Sequence, residues 1–204
     1  MAVTAGTPSA RATKGIPNSV QALLARERSA LSEDEADTAV FYSISNCQSG
    51  LASISFGNSL IKQVASDLST GLPGLKTFVT LSPIPGLCRW LEAQGLTWSD
   101  HEPDEMRALA AHYLLNAKHD NGTPVDPVAR FHLGNGAVVH AVHAEADISP
   151  NGRAQSGGTM VNYLYDLSRV AQNHENFVTT QKVIATSEVK SLANSATLVQ
   201  AEEN

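Results

Sequence analysis

The sequence predicts an α/β or α+β domain built on one main sheet, and three stretches carry that prediction. "TAVFYSIS" (38–45) and "LKTFVTLS" (75–82) are rich in β-branched and aromatic residues and read as buried strands. Between them, "SLIKQVASDL" (59–68) places Leu60, Ile61, Val64 and Leu68 on one helical face. The order strand, glycine-bearing loop, helix, strand is that of a βαβ unit. A further strand, "AVVHAVHAEA" (137–146), follows the Gly134-Asn135-Gly136 turn.

The other elements follow in chain order. Residues 1–15 are small, hydroxylated and lightly basic, and read as a disordered or unrelated lead, with ordered structure from Ile16. Asn18 or Ser19 caps a short helix through Val20, Leu23 and Leu24. Glu33–Asp37 reads as a solvated loop or a helix start. "LCRWLEAQG" (87–95) is a short helix closed by Gly95. "PDEMRALAAHYLLNAKH" (103–119) is an amphipathic helix with proline and acids in its first turn and Lys118 and His119 at its end. "DPVARFHL" is a helical turn, "GTMVNYLYDL" (158–167) a strand, and a helix starts near Ser187. The domain is placed at 16–196, with 197–204 a flexible tail.

Composition narrows the function classes. A net charge of −6 over 204 residues argues against nucleic acid as a partner. No apolar run approaches the ~20 residues that span a bilayer, so no membrane partner is expected. The two cysteines, Cys47 and Cys88, form neither a metal spacing nor a disulfide framework, which suits a reducing cytoplasm.

"FVTLSPIPG" (78–86) singles out Ser82. Two prolines behind it restrict the backbone at a strand end, where a hydroxyl can face a cleft; an ordinary turn serine is the plain alternative. His132 in "ARFHLGNG" ends an ordered segment before a tight turn, and is either a satisfied half-buried histidine or a partner for Ser82. No GxSxG elbow exists. His140 and His143 have HxxH spacing, but residues three apart on a regular strand point to opposite faces, so no metal site is expected. The segment Asn46–Asn58 contains no Lys or Arg and feeds a helix start, where free backbone N–H groups can hold an anion.

Four segments together, "FYSISNCQSGLASISFGNSLIKQVASDL", "LKTFVTLSPIPG", "PVARFHLGNGA" and "MVNYLYDL", resemble in the same order the catalytic domain of the malonyl-CoA decarboxylase family, from about Thr13 to Ala193. The resemblance implies a GNAT acetyltransferase-like mixed sheet flanked by helices. It implies conversion of malonyl-CoA to acetyl-CoA and CO2, with no metal or other cofactor, coenzyme A entering as part of the substrate. It implies Ser82 and His132 as the catalytic pair, with Ala52, Ser53, Ile54, Ser55, Phe56, Gly57 and Asn58 as the coenzyme A stretch. Some members carry glutamate where Ser55 stands, so an acid role there is not carried over. The family's helical domain and first strands, expected ahead of Ile16, are not found in 1–15, which makes the chain read as N-terminally truncated. A homo-oligomer is expected where the helical domain is present, in the cytoplasm or, in a eukaryote, the mitochondrial matrix. The rival classes are a non-catalytic acyl-CoA-binding fragment and a GNAT-type acyltransferase.

Overall fold

A computed structural model of the chain describes residues 9–24, 35–43 and 56–198. Within them, β1 (Ser9–Thr13), α1 (Val20–Leu24), β2 (Thr38–Ser43), α2 (Phe56–Gly71), β3 (Thr77–Thr80), β4 (Ser82–Pro83), α3 (Leu87–Ala93) and α4 (Pro103–Asn116) are followed by α5 (Pro127–Gly134), β5 (Val138–His143), α6 (Pro150–Ser156), β6 (Met160–Leu164), α7 (Val170–Thr180) and α8 (Ser187–Ser195). The βαβ unit is present: β2 and β3 pair in parallel, from Thr38 opposite Thr77 to Phe41 opposite Thr80. β1 pairs antiparallel with β2, so a strand lies inside the 1–15 segment that the sequence reads as a lead. β6 is antiparallel to β3 and β4 on one side and to β5 on the other, which makes the sheet mixed.

The period-two alternation of a strand sorts side chains onto two faces. Ala39, Phe41, Phe78, Val161 and Tyr163 face the larger core, built with α3, α4, α5, α7 and α8. Val40, Val79, Leu81 and Met160 face a smaller cluster closed by Leu23 of α1. Helix starts follow from local chemistry. Glu102 and Glu105 form a capping box across Pro103, and Asp126 and Ser149, just ahead of Pro127 and Pro150, accept N–H bonds.

Four further elements differ from the sequence expectation. α6 and α7 lie in segments whose polar composition gave no periodic signal. Lys118 and His119 fall beyond α4, in a bridge to Pro124 and a turn closed by Thr123. β5 is irregular: Val139 opposes Tyr163 and Ala141 opposes Asn162, leaving His140 as the extra residue of a bulge. Val139 and Val142, three apart, are therefore both buried, and the rule that placed His140 and His143 on opposite faces does not apply. Among the described residues no group of three or more His, Cys, Asp or Glu gathers as a metal site. No described helix is long and apolar enough to cross a membrane.

Candidate active site

Ser82 and His132 meet. Ser82 Oγ lies 3.2 Å from His132 Nε2, although 50 residues separate them in sequence. Parity explains the placement of Ser82: Phe78, Thr80 and Ser82 share the sheet face that carries α5. A link between the parallel strands runs from Leu81 N–H to the Phe41 carbonyl, and among the described residues β4 pairs with β6, Ser82 opposite Val161. Pro83 and Pro85 with fully buried Ile84 restrict the chain directly behind Ser82. His132 comes from the last turn of α5, which Asp126 caps and Asn135 ends.

Both side chains are interior, Ser82 at 5% and His132 at 3% exposure. His132 Nδ1 is 2.8 Å from the Tyr165 hydroxyl, and its ring stacks on Tyr163 with centroids 4.4 Å apart. Tyr163 and Tyr165, two apart, project from one face of the segment that begins as β6. Ser82 also donates to Thr80 Oγ1 at 2.9 Å, and that oxygen accepts the Tyr163 N–H.

The tautomer of the His132 ring sets the proton order along this line. In one of the two ring tautomers that fit these distances, the Tyr165 hydroxyl donates to Nδ1. Nε2 then carries the imidazole proton and donates to Ser82, which donates onward to Thr80. Burial pushes the His132 pKa down to about 3. Desolvation disfavours the imidazolium, and the ring is neutral across the physiological range. Burial also raises the pKa of Tyr163 and Tyr165 far above the ordinary tyrosine value, so both hydroxyls stay protonated donors.

Of the coenzyme A stretch, Ala52–Ser55 lie outside the described residues, and Phe56, Gly57 and Asn58 begin α2. An open cleft of about 530 Å3, lined by Lys76, Phe78, Tyr165 and Asp166 among others, touches the pair only through Tyr165. Sequence reasoning missed Thr80, Tyr163, Tyr165 and Asp126. The Tyr-Leu-Tyr spacing in a strand and the Asp126-Pro127 helix-start signature were the available signals.

Known proteins show the same domain. The model of the malonyl-CoA decarboxylase C-terminal domain matches residues 10–104 and 97–203. A mitochondrial malonyl-CoA decarboxylase of Anser anser anser is 32% identical, across 89% of this chain and 45% of its own length. The crystal structure of malonyl-CoA decarboxylase from Rhodopseudomonas palustris is 44% identical with a TM-score of 0.79, over 90% of this chain and 48% of that one. The chain therefore spans about half the length of these relatives. A GNAT-like decarboxylase, GphF, in complex with isobutyryl-CoA, shares the fold at 20% identity and a TM-score of 0.52, over 78% of this chain and 71% of that one.

Proposed function

The chain belongs to the malonyl-CoA decarboxylase family, and from that premise we propose that it converts malonyl-CoA to acetyl-CoA and CO2 with Ser82 and His132 as the reacting pair. The observation that carries the reading is the buried hydrogen-bond line from Tyr165 through His132 to Ser82. Cleavage of the malonyl C–C bond leaves an electron pair that the thioester carbonyl takes up as an enolate, so the reaction asks for no metal or organic cofactor. What the protein must supply is orientation of the carboxylate, a hydrogen bond to the developing oxyanion and one proton for carbon. Ser82 is the hydroxyl for the first two tasks.

The neutral resting state of His132 defines how it takes part. An anionic malonyl carboxylate brought beside the ring is the counter-charge that burial denies it, and raises its pKa so that it takes up a proton. Loss of that carboxylate as CO2 strands a buried imidazolium next to a carbanion. The proton then passes from nitrogen to carbon, directly or through Ser82, and the ring returns to neutrality. Atoms and charge balance: malonyl-CoA and one proton from solvent give acetyl-CoA and CO2. Coenzyme A is assigned to Ala52–Asn58, held mainly through backbone amides ahead of α2, since Asn46–Asn58 offers no cationic side chain.

The test is incubation with malonyl-CoA in deuterated water, followed by mass spectrometry. Acetyl-CoA carrying one solvent deuteron in its methyl group, with CO2, is the expected result. Unchanged malonyl-CoA with measurable binding would make the chain an acyl-CoA-binding fragment. Free coenzyme A released from acetyl-CoA and an amine would make it an acyltransferase.

A further inference from the structure

Behind the catalytic pair lies a second buried polar cluster that the chemistry above does not use. Asp126 is 1% exposed and caps α5, the helix of His132, through Oδ1, which accepts the Ala129 N–H at 2.8 Å. Its other oxygen, Oδ2, is buried without a hydrogen-bond partner, and so is the Tyr163 hydroxyl. Two such atoms in one region are costly and call for an explanation.

A cap alone does not need this arrangement. In the same chain α6 and α8 are capped by neutral hydroxyls, Ser149 accepting from Gly152 and Thr186 from Val189. A carboxylate in so buried a place has its pKa raised to about 6 by desolvation, and its second oxygen adds nothing to the cap. That oxygen looks instead toward the turn that ends the catalytic Ser82-Pro83-Ile84-Pro85-Gly86 segment. A methyl group at Gly86 would stand 4.0 Å from Oδ2 and 2.4 Å from the hydroxyl of Tyr113 on α4. The Gly86 amide faces the carboxylate as well, without completing a hydrogen bond. The charge acts on the Tyr163 hydroxyl too, and the Tyr163 ring is the surface on which His132 stacks.

We propose that Asp126 is a positioning residue for the decarboxylation assigned above: Oδ1 holds the first turn of the helix of His132, the rest of the carboxylate packs against Gly86 in the turn behind Ser82, and the two contacts together set the distance between the pair. The second oxygen is what distinguishes this role from capping. The inference rests on the decarboxylase reading for its kinetic consequence, and on geometry alone for its structural one.

Asp126→Ser and Asp126→Asn separate the two roles, because both residues are good N-caps. Serine removes the second oxygen, and asparagine replaces one oxygen with a donor that opposes the Gly86 amide. Each variant is expected to keep its helical circular dichroism and to lose roughly 10- to 100-fold in kcat, with KM little changed, as a misplaced catalytic group does. The His132 ring nitrogens, read by 15N NMR on the whole chain, are expected to shift in both variants. Wild-type kcat together with wild-type His132 signals in either variant overturns the proposal, leaving Asp126 a cap. A wild-type chain that leaves malonyl-CoA unchanged overturns the decarboxylase reading alone, and the His132 signals then decide the positioning role by themselves.

Discussion

Replacing Tyr165 by phenylalanine removes one oxygen from the site and leaves the ring, which is 2% exposed and packed in the main core. What disappears is the 2.8 Å hydrogen bond to His132 Nδ1, the only one that nitrogen has among the described residues. At 3% exposure water cannot readily replace it. A buried acceptor left unsatisfied costs ~1–3 kcal/mol. Where Tyr165 donates to Nδ1, its loss also removes the preference for the tautomer that carries its proton on Nε2. If the whole cost falls on the reacting geometry, kcat drops by a factor of roughly 5 to 150. KM should change little, because the oxygen removed is bonded to the imidazole. Steady-state decarboxylation kinetics give the rate, and 15N NMR of the His132 ring should show the two nitrogens becoming more alike as the tautomers mix. Wild-type kcat with unchanged ring signals would mean that the tyrosine does not set the tautomer, and the proton assignment would fall with it.

The remaining expectations concern stability and binding. His132 has a folded-state pKa below its unfolded value of 6.5, so its contribution to stability is present above 6.5 and is lost as pH falls toward about 3. Asp126 works in the opposite sense: its contribution is present below 3.8 and is lost as pH rises through about 6. Urea midpoints followed from about pH 7 down to about pH 4 should therefore fall less steeply in His132→Gln and more steeply in Asp126→Asn than in the wild type. Gly136→Ala should cost at least ~2 kcal/mol in urea unfolding, from a left-handed backbone alone costing about 1–2 kcal/mol and a steric overlap added to it. At Gly136 φ is +81°, and a Cβ would come within 2.0 Å of the Val170 carbonyl oxygen. Gly57→Val should weaken coenzyme A binding by about tenfold, or ~1.4 kcal/mol, in calorimetry; an unchanged Kd with intact fold removes that stretch from the site.

The sheet was legible because strand chemistry is local. The β-branched and aromatic runs of β2 and β3, with the apolar face of the helix between them, fix a βαβ unit without knowledge of partners. α6 and α7 were hidden because their stability comes from tertiary packing: Phe177 and Val170 reach the main core from a helix that is otherwise polar. The bulge at His140 was hidden for a related reason, since one extra residue in a strand leaves no compositional mark. Ser82 stood out through its prolines, but its pairing with His132 is a fact about how α5 packs on β4 and β6. The low pKa of His132 follows from burial, and burial is a property of the folded neighbourhood rather than of "ARFHLGNG". Tyr165 carried a sequence signal, two tyrosines with strand spacing, whose meaning appears only when a histidine is seen beneath them.

The most direct test of the account is a kinetic cycle on the pair itself. Ser82→Ala and His132→Ala are compared with the double variant for conversion of malonyl-CoA to acetyl-CoA, in proteins whose near-UV circular dichroism shows an intact core. A positioned proton donor is worth about 10²–10⁴ in rate, or roughly 3–5 kcal/mol of barrier. Each single variant is expected to lose an amount in that range, and the double variant to be scarcely slower than the poorer single one, because the two groups joined at 3.2 Å act as a unit. Near-full activity in either folded single variant, or losses that simply multiply in the double, would contradict it.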